Sequence, residues 1–499
     1  MDYQSTRGGN AHASAAQAIV QGLAQDGGLF VPSSIPKVSA DFIEALRGLG
    51  YQERALRVLA PWLPDFSEPE LSWLINAAYG QSFDVPEVAL TRRIEDGLFM
   101  LELWHGPTLA FKDMALQLMP HLMTASKAKV GESREILILV ATSGDTGKAA
   151  LEGFKDVPGT SIVVFYPNGG VSEAQRLQMV TQDGDNTHVI AVDGNFDDAQ
   201  TGVKRIFADA EFAKTLNGRG IVLSSANSIN LGRLLPQIVY YFSAYADMRN
   251  QGEVAEHGQI DICVPTGNFG NILAAAYARE MGLPVRKLIC ASNSNNVLAE
   301  FIDTGIYDKN RAFHLTTSPS MDILISSNLE RMVYQLLNGD SEKLTSLMAD
   351  LGRDGRYQLP DDAMQSLRAF MVGGCASEDE VMQEIKATLK QDGYLLDTHT
   401  AVALSVLRKW QAEQKDAPVP ALVASTASPY KFGRSVLSAI DDTDSEADEF
   451  ACCERLAQIS GQQVPDAISA LKTRPVRHST TCAVSDMPRA LLGELGTDV

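Results

Sequence analysis

From about residue 97, short runs of consecutive apolar, often β-branched residues alternate with stretches whose apolar positions recur at helical spacing. Ile136–Thr142 predicts a buried strand and Lys148–Phe154 a helix. Ser161–Tyr166 predicts a second strand with a helix over Ser172–Gln182, and Val189–Val192 a third with a helix over Asp197–Asp209. Ile221–Ser224 leads into one long helix from about Asn230 to Met248, Ile262–Pro265 precedes a helix over Ile272–Met281, and Leu288–Ala291 closes the series. Buried strands alternating with helices imply an α/β fold of parallel sheets with right-handed crossovers. The rhythm weakens over 300–390, where Gly and Asp interrupt the helical pattern. It returns with a helix over Val402–Trp410 and a strand over Ala421–Ala424, so the sheet is expected to take back a C-terminal strand after an insertion.

The first ninety residues follow a different pattern. Gly27-Gly28-Leu29-Phe30-Val31-Pro32, a short helical stretch near Asp41–Arg47, and Trp62 and Trp73 in a helical setting read as a small, mostly helical N-terminal domain over 1–92, with Pro86 near its exit. The α/β region then covers 93–470 as two subdomains with the insertion near 300–390, and 471–499 is a C-terminal extension. Asp441–Glu449 carries six carboxylates and reads as a solvated acidic loop.

Composition narrows the function classes. The chain has 499 residues, 45% hydrophobic and 21% charged, as expected of a water-soluble globular protein. It shows no apolar run of the roughly 18 residues that a membrane span needs, and Met1-Asp2-Tyr3-Gln4 lacks the shape of a signal peptide, so a cytoplasmic location is expected. The formal net charge of −20 argues against a nucleic-acid partner. An anionic ligand would therefore have to be met locally, by backbone N–H groups, helix starts and a few chosen cations. Six cysteines form no Cys-x-x-Cys pair and eight histidines no ligand cluster, so no metal is expected.

The candidate chemistry begins with His105-Gly-Pro-Thr-Leu-Ala-Phe-Lys112-Asp-Met-Ala-Leu-Gln117. Lys112 follows Leu109, Ala110 and Phe111 and precedes Met114, Ala115, Leu118 and Met119, at what reads as the start of a helix. Burial and the positive helix end both favour the neutral, nucleophilic amine, whereas Asp113 opposes them. A lysine snorkelling from the edge of a core helix is the alternative.

Loops between predicted strands and helices add to the picture, since ligands of open α/β sheets sit there. Thr142-Ser143-Gly144-Asp145-Thr146-Gly147 could cradle a carboxylate with its N–H groups, or be a simple capped turn. Gly267-Asn268-Phe269-Gly270-Asn271 suits a phosphate at a helix start. Ser225–Arg233 offers Asn227, Ser228 and the guanidinium of Arg233, which suits bidentate phosphate recognition unless Arg233 is a surface residue. Ser425-Thr426-Ala427-Ser428-Pro429-Tyr430-Lys431 is a hydroxyl-rich turn without independent meaning. The fingerprints of nucleotide-binding loops are missing from all of these. One electrophilic cofactor held by a lysine between two anion cradles fits the set, and pyridoxal 5′-phosphate meets that description.

The lysine motif, with Thr142–Gly147 and Gly267–Asn271 in that order, resembles the threonine synthase family of fold-type II pyridoxal phosphate enzymes. The resemblance extends from Ser5-Thr6-Arg7 and Gly27–Pro32 to Ser425–Phe432. It implies the Schiff-base lysine at Lys112, the cofactor-phosphate loop at Gly267, Asn268, Phe269, Gly270 and Asn271, and a hydroxyl facing the pyridine nitrogen at Thr426. Asp145 falls where many relatives carry an asparagine beside the cofactor's 3′-oxygen, a place where a second acid would be repelled by a phenolate. The resemblance further implies Ser143, Gly144 and Thr146 for the substrate carboxylate, and Asn227, Ser228 and Arg233 for its phosphate, with Asn271 shared. The implied reaction converts O-phospho-L-homoserine and water to L-threonine and phosphate, by a monomer or homodimer. Alternatives are a phospho-lyase releasing 2-oxobutyrate, a threonine dehydratase, or a non-catalytic ligand-binding relative.

Overall fold

Leu98–Glu102, Ala421–Ser425, Ile260–Pro265 and Val285–Ser292 lie side by side as parallel strands, mostly buried on both faces because their residues are predominantly apolar. In this computed structural model, which describes residues 1–9, 12–142, 144–169, 171–415, 418–441 and 448–496, Met371–Cys375 extends that sheet at one edge. Leu90–Glu95 closes the other edge, antiparallel to Leu98–Glu102. The second sheet is parallel throughout, in the order Thr480–Ala483, Thr187–Asp193, Thr160–Pro167, Glu135–Ala141, Ile221–Ser224. Helices cover both sheets, and one hydrophobic core joins them to the N-terminal segment. No helix among the described residues is long and apolar enough to cross a membrane.

The N-terminal segment contains the helices Ala15–Gln21, Ala40–Ala45, Tyr51–Leu59 and Glu68–Tyr79, plus a small antiparallel pair of strands, Tyr3–Ser5 with Phe30–Pro32. Trp62 is fully buried and stacks on Tyr277 at 5.6 Å, whereas Trp73 is 67% exposed.

Several elements differ from the sequence pattern. The long helix expected over Asn230–Met248 is two, Leu231–Leu234 and Pro236–Asn250, broken where Pro236 can supply no N–H. Inside 300–390 a strand appears at Met371–Cys375, invisible to periodicity because Gly373 and Gly374 interrupt it. Those glycines are required by packing: a Cβ on Gly373 would stand 2.7 Å from the Ala299 carbonyl oxygen, and one on Gly374 would stand 2.6 Å from Val406. Two helices start earlier than the pattern suggested, at Asp145 and at Gly270, so Asp145 and Asn271 belong to first turns rather than to loops. Of the acidic stretch Asp441–Glu449, residues 442–447 lie outside the described residues.

Two packing features set the lysine segment in place. The helix Asp145–Phe154 lies so close to the one-turn helix Asp113–Leu116 that a Cβ on Gly153 would overlap the Leu116 carbonyl oxygen. At the start of the motif, His105 is clamped by two carboxylates: Nδ1 is 2.7 Å from Asp84 and Nε2 is 2.9 Å from the buried Glu102, with Trp104 stacked on the ring at 4.3 Å. Burial opposes the imidazolium, but the two carboxylates outweigh it and push its pKa up to about 9. Glu102 also accepts from Tyr394 Oη at 2.9 Å and pairs with Arg92 at 3.1 Å.

Gly153→Ala is expected to lower thermal stability by several degrees, because neither helix backbone can move aside alone; an unchanged melting temperature would show that this contact is not tight. Since the folded pKa of His105 is raised, its contribution is fully present below the unfolded value near 6.5 and lost as pH rises through about 9. That loss is on the order of 2 kcal/mol. His105→Gln should therefore flatten the fall in melting temperature between pH 6.5 and 9, and parallel profiles for the two proteins would contradict the assignment.

Candidate active site

Leu109, Ala110 and Phe111 run alongside the turn after strand Ala421–Ser425. The Phe111 N–H donates to the Thr426 carbonyl at 2.8 Å, the Ser428 N–H to the Leu109 carbonyl at 3.0 Å, and Ala110 pairs with Ala427. Leu109 takes a left-handed conformation, φ 60°, which bulky residues seldom adopt and which re-aims the chain before Lys112. Lys112 then caps a helix of only four residues, Asp113–Leu116, so the helix end adds little and burial is the main influence on its amine.

The surroundings of Lys112 correct one sequence expectation. Asp113 faces away: its carboxyl accepts from the Thr108 N–H at 2.8 Å and the Thr108 hydroxyl at 2.7 Å, and burial pushes its pKa up to about 6. The carboxylate beside Lys112 is Asp145, with Oδ2 3.6 Å from Nζ. Ser320 Oγ sits between the two, 3.3 Å from each. Lys431 Nζ approaches the other Asp145 oxygen at 3.1 Å and donates to the Thr108 carbonyl at 2.9 Å. Burial depresses the Lys112 pKa; Lys431 and Arg233 push it the same way, and Asp145 opposes them. Burial would raise Asp145, but the two lysines outweigh it and hold the carboxyl below its ordinary range.

The loop before Asp145 is organised by Thr142, whose hydroxyl accepts from the N–H groups of both Gly144 and Gly147 at 3.0 Å. Two of the N–H groups expected to cradle an anion are therefore engaged within the loop. Gly144 has φ 145° and its Cβ would stand 2.6 Å from the Gln175 amide. Thr146 is half-buried in the first helical turn, and Ser143 lies outside the described residues.

The second cradle follows strand Ile260–Pro265. Gly267 has no room for a side chain, since a Cβ would lie 2.5 Å from the Ser320 carbonyl oxygen, and its own carbonyl accepts from Ser326 Oγ at 2.7 Å. Asn268 is exposed; its carbonyl takes the Asn328 N–H at 3.1 Å and the Asn328 amide at 3.0 Å. Phe269 is buried with φ 64°, and the helix begins at Gly270. Asn271 is buried with its Oδ1 accepting from Tyr240 Oη at 2.7 Å and from Tyr241 Oη, which leaves its buried Nδ2 as a donor with no protein partner.

Ser228 Oγ is 3.2 Å from Ser327 Oγ, which in turn donates to Asn268 Oδ1 at 3.3 Å, so the third loop and the second are tied together. Asn227 is exposed. Arg233 is buried, not a surface residue: Nη1 donates to the Ala226 carbonyl at 2.9 Å, while Nε has no protein acceptor. With no carboxylate to compensate, burial lowers its pKa to about 10. Thr426 is buried beside Phe111. A buried guanidinium and a buried amide with unspent donors, one on each of two loops joined by hydroxyls, are the features an anionic cofactor or substrate requires. The residues present thus fit pyridoxal phosphate: a buried amine of depressed basicity and a glycine-opened cradle at a helix start.

Ser320, Ser327, Asn328 and His399 were not legible in the sequence. The first three lie in the aperiodic 300–390 region, within or beside the 3₁₀ turn Pro319–Met321. His399, buried in the first turn of helix Thr398–Glu413, accepts the Ser320 N–H on Nε2 at 3.2 Å, which places its proton on Nδ1 toward Asp397 at 3.1 Å. Lys431 stands within the fourth loop, where only its dense hydroxyls drew attention. Among the described residues, no group of three or more His, Cys, Asp or Glu side chains is placed to hold a metal ion.

Comparison with known proteins agrees with this geometry. Residues 2–79 match the family described as threonine synthase N terminus, 85–424 the family of pyridoxal-phosphate dependent enzymes, and 400–486 the family described as threonine synthase, C-terminal. Human threonine synthase-like 1 is 43% identical over 434 residues, covering 85% of this chain; the chain spans 58% of the length of that relative. Threonine synthase of Pseudomonas aeruginosa is 39% identical, with 87% of this chain and 90% of that protein covered. The crystal structure of PLP-bound threonine synthase from Brucella melitensis superposes with a TM-score of 0.88 at 36% identity, covering 100% of both chains. A fold-type II architecture, a lysine-centred site and this degree of identity lead to one assignment: the chain belongs to the threonine synthase family of pyridoxal-phosphate dependent enzymes.

Proposed function

We propose that this protein converts O-phospho-L-homoserine and water to L-threonine and inorganic phosphate. The observation that carries the proposal is the buried Lys112 amine beside the unspent donors of Arg233 and Asn271, in a chain of this family. When bound, pyridoxal phosphate withdraws electrons from the substrate carbons, so that protons can leave the α- and then the β-carbon and the γ-phosphate can depart.

The residues of the chain supply anchoring, orientation and proton movement. Lys112 Nζ would anchor the cofactor and could take and return protons at the substrate carbons, a role that its depressed basicity suits. The Gly267–Asn271 loop holds the cofactor phosphate against the start of a helix. Thr426 offers the pyridine nitrogen a neutral hydroxyl, which leaves the ring less protonated than a carboxylate would and limits routes such as transamination. Ser143, Gly144 and Thr146 meet the substrate carboxylate. Asn227, Ser228 and Arg233, with Asn271, hold the substrate phosphate, and Arg233 supplies the charge that makes this pocket selective for a phosphorylated amino acid over threonine. The net charge of −20 supports leaving nucleic acid out of the account, and we place the reaction in the cytoplasm, in a monomer or homodimer.

Incubation with O-phosphohomoserine should release phosphate and threonine in equal amounts, and Lys112→Ala should abolish both the turnover and the visible absorption of the bound cofactor. If 2-oxobutyrate were the main product, the chain would be a phospho-lyase. Arg233→Gln should raise KM for phosphohomoserine by about tenfold or more, the loss of a charge-assisted contact, with the cofactor spectrum nearly intact. Loss of cofactor in that variant would move Arg233 to the cofactor's phosphate.

A further inference from the structure

The turn Pro429–Phe432 carries a lysine that the proposed reaction does not use. Lys431 is buried, its side chain 2% exposed, and its Nζ lies 2.9 Å from the Thr108 carbonyl and 3.1 Å from Asp145 Oδ1. The approach to Asp145 is a contact of charge, without the alignment of a hydrogen bond. Asp145 is in turn the carboxylate nearest Lys112, at 3.6 Å through its other oxygen, with Ser320 Oγ bridging the gap. Three ionisable groups from three separate segments thus share a buried space, the carboxylate between the two lysines.

Without Lys431, such an arrangement would work against a nucleophilic amine. A buried carboxylate facing one lysine forms a full ion pair with it and holds the proton on the amine. A second lysine on the far oxygen divides the carboxylate's charge and repels a proton on the first. We infer that Lys431 is a positioning residue of this site: by holding Asp145 in partial neutralisation, it keeps the Lys112 amine free to react at neutral pH. The inference rests on Lys112 being the cofactor anchor and extends that reading to a residue outside the expected set. It also accounts for an acid where many relatives carry an asparagine, because Asp145 with Lys431 together bring no net charge to the cofactor's side of the site.

Among the described residues, the groups acting on Lys112 come from four elements: Asp145 from the helix Asp145–Phe154, Lys431 from the turn after the last strand of the larger sheet, Arg233 from the helix Leu231–Leu234, and the neutral Ser320 from the turn Pro319–Met321. His399 stands behind Ser320 and holds it through the Ser320 N–H. Asp113, the adjacent acid in sequence, is spent on Thr108. The direction of the Lys112 pKa, lowered by burial and then by Lys431 and Arg233, agrees with this geometry.

The test uses the full chain freed of cofactor, with the pH dependence of reductive trapping of pyridoxal phosphate on Lys112 by borohydride, read by mass spectrometry. Lys431→Gln keeps a donor for the Thr108 carbonyl but removes the charge; its trapping midpoint should move to higher pH by about one unit. Asp145→Asn should move the midpoint to lower pH, the double variant should return close to the parent, and Lys431→Arg should leave it in place. A folded Lys431→Gln protein with the parent's midpoint would overturn the inference and reduce Lys431 to a prop for Thr108. Should that variant fail to fold, an Asp145→Asn midpoint that stays put or moves to higher pH would overturn it equally. Trapping that persists in Lys112→Ala would instead remove the anchor assignment itself, so the two failures are distinguishable.

Discussion

A carboxylate buried between two lysine side chains is the constraint on which this site depends. None of Asp145, Lys112 and Lys431 could be withdrawn from water alone, because an unpaired charge in the interior costs several kcal/mol. Each is tolerable only when the other two arrive, and they arrive from different places: Lys112 after the strand Leu98–Glu102, Asp145 after Glu135–Ala141 in the other sheet, and Lys431 after Ala421–Ser425. The two sheets, joined by an apolar core, are thus also linked by polar contacts between the carboxyl ends of their strands.

The same logic separates groups that build the site from groups left for a ligand. Thr142 uses its hydroxyl to close the loop before Asp145, and Tyr240 and Tyr241 use theirs to fix Asn271. Asp113, Glu102 and His105 are consumed in satisfying one another or Thr108. Among the buried side-chain atoms of the described residues that have no protein partner are a guanidinium N–H on Arg233 and an amide N–H on Asn271. Buried donors without acceptors are costly in a finished fold, and their coincidence with two loops joined through Ser228, Ser327 and Asn268 identifies where an anion belongs.

Much of this was legible in the sequence, because consecutive apolar residues in a parallel strand report burial on both faces and the glycines of the following loops report close backbone approach. The strands from Glu135 to Ser292, the return of Ala421–Ser425 to the sheet and the loop-to-helix junctions that carry Lys112, Asp145 and Asn271 follow from those two signals. What escaped has equally physical reasons. The strand Met371–Cys375 loses its apolar pattern at Gly373 and Gly374, which two neighbouring helices need bare. Ser320 is supplied by a turn in an aperiodic stretch, 208 residues along the chain from the lysine it touches. Sequence adjacency also misled: Asp113 sits next to Lys112 in the chain but not in space, and the acid that matters is Asp145. The helix dipole invoked for Lys112 fades because that helix is one turn long.

The position of the strand Ala421–Ser425 bears on how the molecule is made. It lies between Leu98–Glu102 and Ile260–Pro265, in the interior of the larger sheet, although it is the last of that sheet's strands to be synthesised. At ribosomal speeds of about 5–20 residues per second, some tens of seconds separate the first of these neighbours from the strand that will join them. Once Ile260–Pro265 has been made, two strand edges with apolar faces stand open to any partner until Ala421–Ser425 arrives, the circumstance in which nascent chains are prone to mispair. The turn at the end of that strand also holds Thr426, whose carbonyl fixes Phe111, and leads directly to Lys431. Sheet closure and assembly of the lysine pair are consequently one event late in biogenesis, so a half-made chain carries neither an intact sheet nor a primed amine.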